Sequence, residues 1–134
     1  MTRALLYKDI MKKFLLLFLI ISSSPFALNA SYFKAEVRRT ESALFHGQLF
    51  CEGRRGKFSD KEVMTISDNY LAKTFKKSEL KLIDKAHWDA VNYISGAIKK
   101  HKCNLKKLRN NKKEFDKMLN FALDILSGYR YLPD

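Results

Sequence analysis

The chain has 134 residues, with 26 Lys and Arg against 14 Asp and Glu, a formal net charge of +12 and 46% hydrophobic residues. That length suits one domain. The apolar share excludes a disordered basic tail as a description of the whole chain, and apolar residues interspersed with charges after the first thirty positions exclude a transmembrane bundle.

Lys12 and Lys13 precede an unbroken apolar run, Phe14–Ile21, followed by Ser22-Ser-Ser-Pro25 and Phe-Ala-Leu-Asn-Ala30. A basic start, a short apolar stretch, a Pro and a terminal Ala predict a secretory signal peptide over residues 1–30, cleaved after Ala30. Leu28 is bulkier than the small residue usual three positions before the cut. Met11 is an alternative start, and an uncleaved membrane anchor is the competing reading, although the run is short of the roughly 20 apolar residues a span needs. No Cys lies near the cut, so a lipidated N-terminus is not expected. The expected mature domain, 31–134, keeps 22 basic and 13 acidic residues, a net charge of +9. The basic character therefore belongs to the domain itself.

Scarce Gly and Pro and long stretches of helical period predict an all-α domain, a small bundle of three to four helices. A first helix is expected over Tyr32–Glu52, with Phe33, Val37, Thr40, Leu44, Gln48 and Cys51 along one side. The only competing strand is a short one around Lys34–Arg38. Phe45, Leu49 and Phe50 lie off that stripe, which means either a helix covered on two sides or an exposed groove for a partner. Gly53 to Gly56 punctuates the chain. Ser59-Asp-Lys-Glu62 reads as a capping box opening a second helix with Val63, Ile66, Tyr70, Leu71, Thr74 and Phe75 inward. A linker near Lys76–Ser78 leads to a third helix from Glu79 to about His101, carrying Leu80, Ile83, His87, Val91, Ile94 and Ile98. The polar stretch Asn104–Asn111 is loop or frayed helix. A fourth helix is expected over Lys112–Ser127, with Phe115, Met118, Leu119, Ala122 and Leu126 inward and Gly128 as its stop.

Cys51 and Cys103 both fall within the expected mature domain. An even count in an oxidising compartment predicts one disulfide between them. Closing a loop of 52 positions stabilises a fold by about 4 kcal/mol in the chain-entropy model. A reactive thiol pair is the alternative. A metal site built on His101 and Cys103 is not expected, because zinc usually gathers four ligands and only His46, His87 and Cys51 remain to recruit.

Charge is the strongest functional signal. Lys99, Lys100, Lys102, Lys106, Lys107, Arg109, Lys112 and Lys113 put eight basic residues in fifteen positions without an acid. Arg54, Arg55 and Lys57 form a second group, and Lys73, Lys76, Lys77, Lys81 and Lys85 a third. Such density attracts anionic partners and speeds their encounter, but it also simply solvates a small protein. The expected anion-binding residues are Arg54, Arg55, Lys99, Lys100, Lys102, Lys106 and Lys107. Their expected partner is an envelope polymer, a lipid headgroup or an acidic protein. Nucleic acid ranks last, since no zinc-finger, helix-turn-helix or RNP-like pattern occurs. No G-x-S-x-G, H-E-x-x-H, Walker or G-x-G-x-x-G motif is present, so no catalytic residue and no cofactor are assigned and the chain is not read as an enzyme. The alternative is a small hydrolase-like or thiol-redox enzyme using Cys51, Cys103 or a His–carboxylate pair such as Glu41–His46 or Asp84–His87. His87 is expected beside Trp88 as a partly buried helix residue. His101 is expected as a cation near a helix C-terminus.

The run from Leu49 through Phe50-Cys51, Arg54-Arg55 and Ser59 to Glu62, with Cys103 following, resembles small exported proteins of cyanobacteria. In these a Phe-Cys and paired arginines precede a Gly, a Ser-led helix and a second Cys about fifty residues on. The likeness covers residues 49–103. Gly56 comes earlier than in that pattern, and Asn104 stands where a Pro is frequent after the second Cys. The resemblance implies an exported, disulfide-linked helical module and supplies no catalytic residue.

Overall fold

A computed structural model describes residues 27–128, with side chains from Lys34 onward. The expected signal peptide therefore lies outside the described residues except for Ala27–Ala30, as does the tail beyond Gly128, and the Phe33 side chain of the expected stripe is not described. All regular structure among the described residues is helical. The domain is all-α, with helix α1 over Ala27–Arg54, α2 over Asp60–Thr74, α3 over Lys85–Ile98, a five-residue α4 over Leu105–Arg109 and α5 over Lys112–Leu126. Two 3-10 turns, Lys77–Leu82 and Lys99–His101, flank α3.

Helix α1 runs for 28 residues, about 42 Å, and includes the Lys34–Arg38 stretch that competed as a strand. Its buried side differs from the expected stripe. Val37, Thr40 and Gln48 are only half-buried, while Ala35, Arg39, Ser42, Ala43, His46, Gly47 and Leu49 are buried. The reason is steric: small and polar residues let α3 come close, and an apolar-only reading overlooks them. A methyl built on Gly47 would stand 2.4 Å from Ile94 Cγ2 and 2.8 Å from its Cβ, so only hydrogen fits there. Phe45 stacks on Tyr70 of α2 at 4.1 Å, and Phe50 stacks on Trp88 of α3 at 5.8 Å. The wide apolar arc of α1 is thus covered on two sides.

Helices α1 and α3 run parallel. The start of α3 meets the middle of α1, where Arg39 contacts Asp84 and Ser42 meets His87; Gly47 faces Ile94 further along, and the C-terminal ends meet where Cys51 bonds to Cys103 with the Cα atoms 5.4 Å apart. Helix α2 returns antiparallel along α1, and α5 antiparallel along α3, with Tyr93 and Phe121 in ring contact at 4.4 Å. Val91, Ile94 and Ile98 of α3, Leu105 and Leu108 of α4, and Phe115, Met118, Leu119, Ala122 and Leu126 of α5 form the core with Ala43, Leu44 and Cys51.

The ends of the helices follow local chemistry. The Ser59 hydroxyl accepts from Glu62 N–H at 3.1 Å and the Glu62 carboxylate accepts from Ser59 N–H at 3.0 Å, which is the expected capping box. The third helix does not begin at Glu79. Residues 77–82 form a 3-10 turn, Ile83 leaves helical space at ψ 68°, and Asp84 caps α3 by accepting from His87 N–H at 3.0 Å. Leu80, expected inside, is 43% exposed. Asn104 and Asn111 cap α4 and α5 through their side chains, so the polar 104–111 stretch holds a helix with Leu105 and Leu108 buried. Gly128 ends α5 at φ +85°, a conformation open to glycine. Lys102 and Cys103 sit at φ 56° and 59°, a region that costs a non-glycine residue about 1 kcal/mol. Hydrogen bonds from Lys102 N–H to Lys99 O and from Cys103 N–H to Ile98 O close the end of α3 and hold that turn.

The disulfide closes the parallel pair at its C-terminal end with both sulfurs out of solvent. Replacing both residues, Cys51→Ala with Cys103→Ala, is expected to lower unfolding free energy by about 4 kcal/mol in urea titrations. A loss below about 1 kcal/mol would show that the remaining contacts hold the two ends together without it.

Candidate functional site

The disulfide end gathers the expected anion-binding residues. Because Cys51 and Cys103 are joined, the Arg54-Arg55 end of α1 lies beside the segment that follows α3. The Gln48 side chain also accepts from Leu105 N–H at 3.3 Å, fixing the start of α4 against α1. Lys106 and Lys107 are the next two residues along.

The seven residues are not equivalent. Arg54 reaches along α3 and donates to Ser95 Oγ at 2.9 Å and Asn92 Oδ1 at 3.4 Å. Lys100 is ion-paired with Glu114, which also lies 3.3 Å from His101 Nε2. Hydrogen bonds from Lys100 and His101 hold the Glu114 carboxyl below its ordinary range. Arg55, Lys99, Lys102, Lys106 and Lys107 are exposed and form no ion pair among the described residues. Arg109, part of the same run, is instead buried, with its guanidinium 5.9 Å from the Phe115 ring.

A groove of about 710 Å³ opens at this end between α3 and α5. Tyr93, Gly96, Ala97, Leu108 and Met118 form its floor and walls; Lys99, Lys100, Lys117 and Glu114 rim it. Burial raises the Tyr93 phenol above its ordinary value, partly offset by the nearby Lys100 charge.

A second constellation lies inside the α1–α3 contact. His46 Nδ1 donates to the Ser42 carbonyl at 2.8 Å, so in the neutral ring Nε2 accepts from the Ser67 hydroxyl at 2.7 Å. Ser42 Oγ lies 2.9 Å from His87 Nε2, and His87 Nδ1 has no hydrogen-bond partner among the described residues. Ser42, His46 and His87 are each 0% exposed. Rings of Phe45, Phe50, Tyr70 and Trp88 pack at 5.2–5.9 Å around His46. His87 is thus fully buried, beyond the partial burial expected. The drawn dyads do not form: Asp84 caps the His87 backbone and pairs with Arg39, and His46 takes its partners from Ser42 and Ser67.

Arg39 closes the opposite end. It is 5% exposed and donates through Nε to Leu82 O at 2.7 Å, through Nη1 to Leu126 O at 2.6 Å and through Nη2 to Asp84 Oδ1 at 2.7 Å. One guanidinium thereby joins α1, the 3-10 turn, the start of α3 and the last carbonyl of α5. Burial raises the Asp84 carboxyl, but Arg39 and the His87 N–H outweigh it and leave Asp84 below its ordinary range.

Sequence reasoning missed Arg39, Ser42 and Ser67 because an arginine and two serines on helices read as surface. The available signal was their spacing: Arg39, Ser42 and His46 fall at three and four, one face of α1.

Cys51 and Cys103 share one disulfide, and among the described residues no group of three His, Cys, Asp or Glu is placed to hold a metal ion. The chain matches no family model, and no curated protein or solved structure is significantly similar to it.

Burial disfavours charge on both inner histidines. It lowers His46 and, together with the neighbouring His46 and Arg39 charges, lowers His87 to about 3. A folded-state value below the unfolded 6.5 means the unfolded chain binds the proton first, so stability is full above pH 6.5 and falls as pH drops toward 3. His87 alone accounts for about 2 kcal/mol between pH 6.5 and pH 5. Urea midpoints across this range should fall with acid, and the His46→Gln/His87→Gln variant should flatten the slope. A midpoint independent of pH from 7 to 5 would contradict a sealed, neutral pair.

Proposed function

We propose that the protein is an exported, non-enzymatic helical domain that binds an anionic partner through the basic surface at its disulfide end. The supporting observation is convergence: two basic groups far apart in sequence meet at one end, and five of the seven expected residues there are exposed and without ion pairs among the described residues. Lys102, shortly after α3 at that end, is exposed and supports the reading.

Export draws support from the signal-like sequence, from a disulfide of the kind that persists in oxidising compartments and from the likeness to small exported cyanobacterial proteins. No helix among the described residues is long and apolar enough to cross a membrane. Both cysteines lie at or below 3% exposure, which weighs against thiol exchange. The sealed His–Ser cluster leaves a hydrolytic reading without access for a substrate.

The test is retention on immobilised heparin, a polyanion, and on vesicles rich in anionic lipid. The folded domain should be held at low ionic strength and released by salt. Changing Arg55, Lys99, Lys102, Lys106 and Lys107 to Gln should abolish retention while leaving the melting curve unchanged. Absence of retention, or retention insensitive to those changes, would defeat the proposal.

A further inference from the structure

Of the five glycines, four have a structural reason to be glycine. Gly47 and Gly53 meet Ile94 and Val63 too closely for a methyl, and Gly56 and Gly128 have positive φ. Gly96 has neither constraint: nothing lies within 4 Å of where its Cβ would be. Inside a helix, glycine costs about 1 kcal/mol relative to alanine, so packing and backbone geometry both favour a larger residue there. What Gly96 does is leave open the floor of the groove between α3 and α5.

The groove has the chemistry of an amphiphile site. Apart from the Tyr93 hydroxyl, its floor offers aliphatic and aromatic carbon from Ala97, Tyr93 and Met118. An extended peptide laid there would leave amides unpaired against the apolar floor, whereas an alkyl chain has none to satisfy. The rim supplies Lys99 and Lys117, exposed and without an ion pair among the described residues, and Lys100 already bound to Glu114. Its volume of about 710 Å³ falls within the span common for small-molecule clefts, about 300–1,000 Å³. A chain end carrying negative charge fits this rim, and a cationic one is repelled by it.

We infer that the α3–α5 groove binds a single-chain anionic amphiphile, with the alkyl chain over Gly96, Ala97 and Met118 and the carboxylate or phosphate head against Lys99 and Lys117. The inference rests on the anionic-partner reading for the sign of the charge and adds a ligand class to it.

Calorimetric titration of the folded domain with dodecanoate and dodecyl phosphate, below their micellar concentrations, tests it. At least one should bind, and the tighter of the two identifies the head group. Dodecanol should bind at least tenfold more weakly, and dodecyltrimethylammonium should not bind. Gly96→Phe, which fills the groove, should abolish binding yet keep heparin retention, whereas Gly96→Ala should bind within about twofold of the parent. Lys99→Gln with Lys117→Gln should weaken binding about tenfold, and decides the matter if Gly96→Phe fails to fold. No binding of either anion, dodecanol binding as tightly as they do, or full binding by Gly96→Phe or by the lysine variant would overturn the groove assignment. If heparin retention persists in that case, only the groove fails; if heparin retention is absent in the parent protein, the broader reading fails.

Discussion

The close approach of α1 to α3 at Gly47 is the constraint on which the remaining structure depends. With hydrogen at that position, Ile94 seats directly against the α1 backbone, and α3 can run parallel in contact with the C-terminal half of α1. Running parallel, α3 starts beside the middle of α1 and brings the two C-terminal ends together. Arg39 and Asp84 therefore meet at the first of these places, and Cys51 and Cys103 at the second. The covalent bond and the guanidinium hub are separate devices that hold the same pair.

The same closeness explains why the interior of this contact is polar. Large aliphatic side chains at every position would push the helices apart, and small residues, Ser42, Ala43 and Gly47 on α1 and Ala90 on α3, are buried together with His46 and His87. Most of their polar atoms find partners, which limits the penalty for burying them. A satisfied polar interior specifies register more sharply than apolar packing does. The expected fall of stability in acid follows from the same arrangement.

Much of the fold was legible in the sequence, and the exceptions have physical causes. The α5 stripe of Phe115, Met118, Leu119, Ala122 and Leu126 is a strongly amphipathic pattern, and all five are buried. The Ser59–Glu62 capping box and the Gly128 stop are local signals that depend on few neighbours. Helix α1 was misread along its face because its buried side is made of Arg39, Ser42, His46 and Gly47, which periodicity of apolar residues ignores. The break at Ile83–Asp84 was missed because an aspartate cap competes with an unbroken run of apolar spacing from Leu80 to Ile98. Charge runs were visible, but their pairing was not: that Lys100 and Arg54 are engaged, and Arg109 buried, depends on residues brought near by the fold. The α3–α5 groove left no trace in the sequence beyond an unremarked glycine.

The basic end is a product of that helix pairing as well. Two C-termini at one end present their carbonyl dipoles together, which favours nearby cations. Exposed lysines beyond that need remain available to a partner. The most direct measurement is the stability of Gly47→Ala by urea unfolding, with Gly96→Ala as reference. Alanine at an unconstrained helix position stabilises by about 1 kcal/mol, the result expected at Gly96. At Gly47 it should destabilise by about 1–3 kcal/mol, because Ile94 must move. A Gly47→Ala protein as stable as its parent, or more so, would contradict the close α1–α3 contact and everything placed by it.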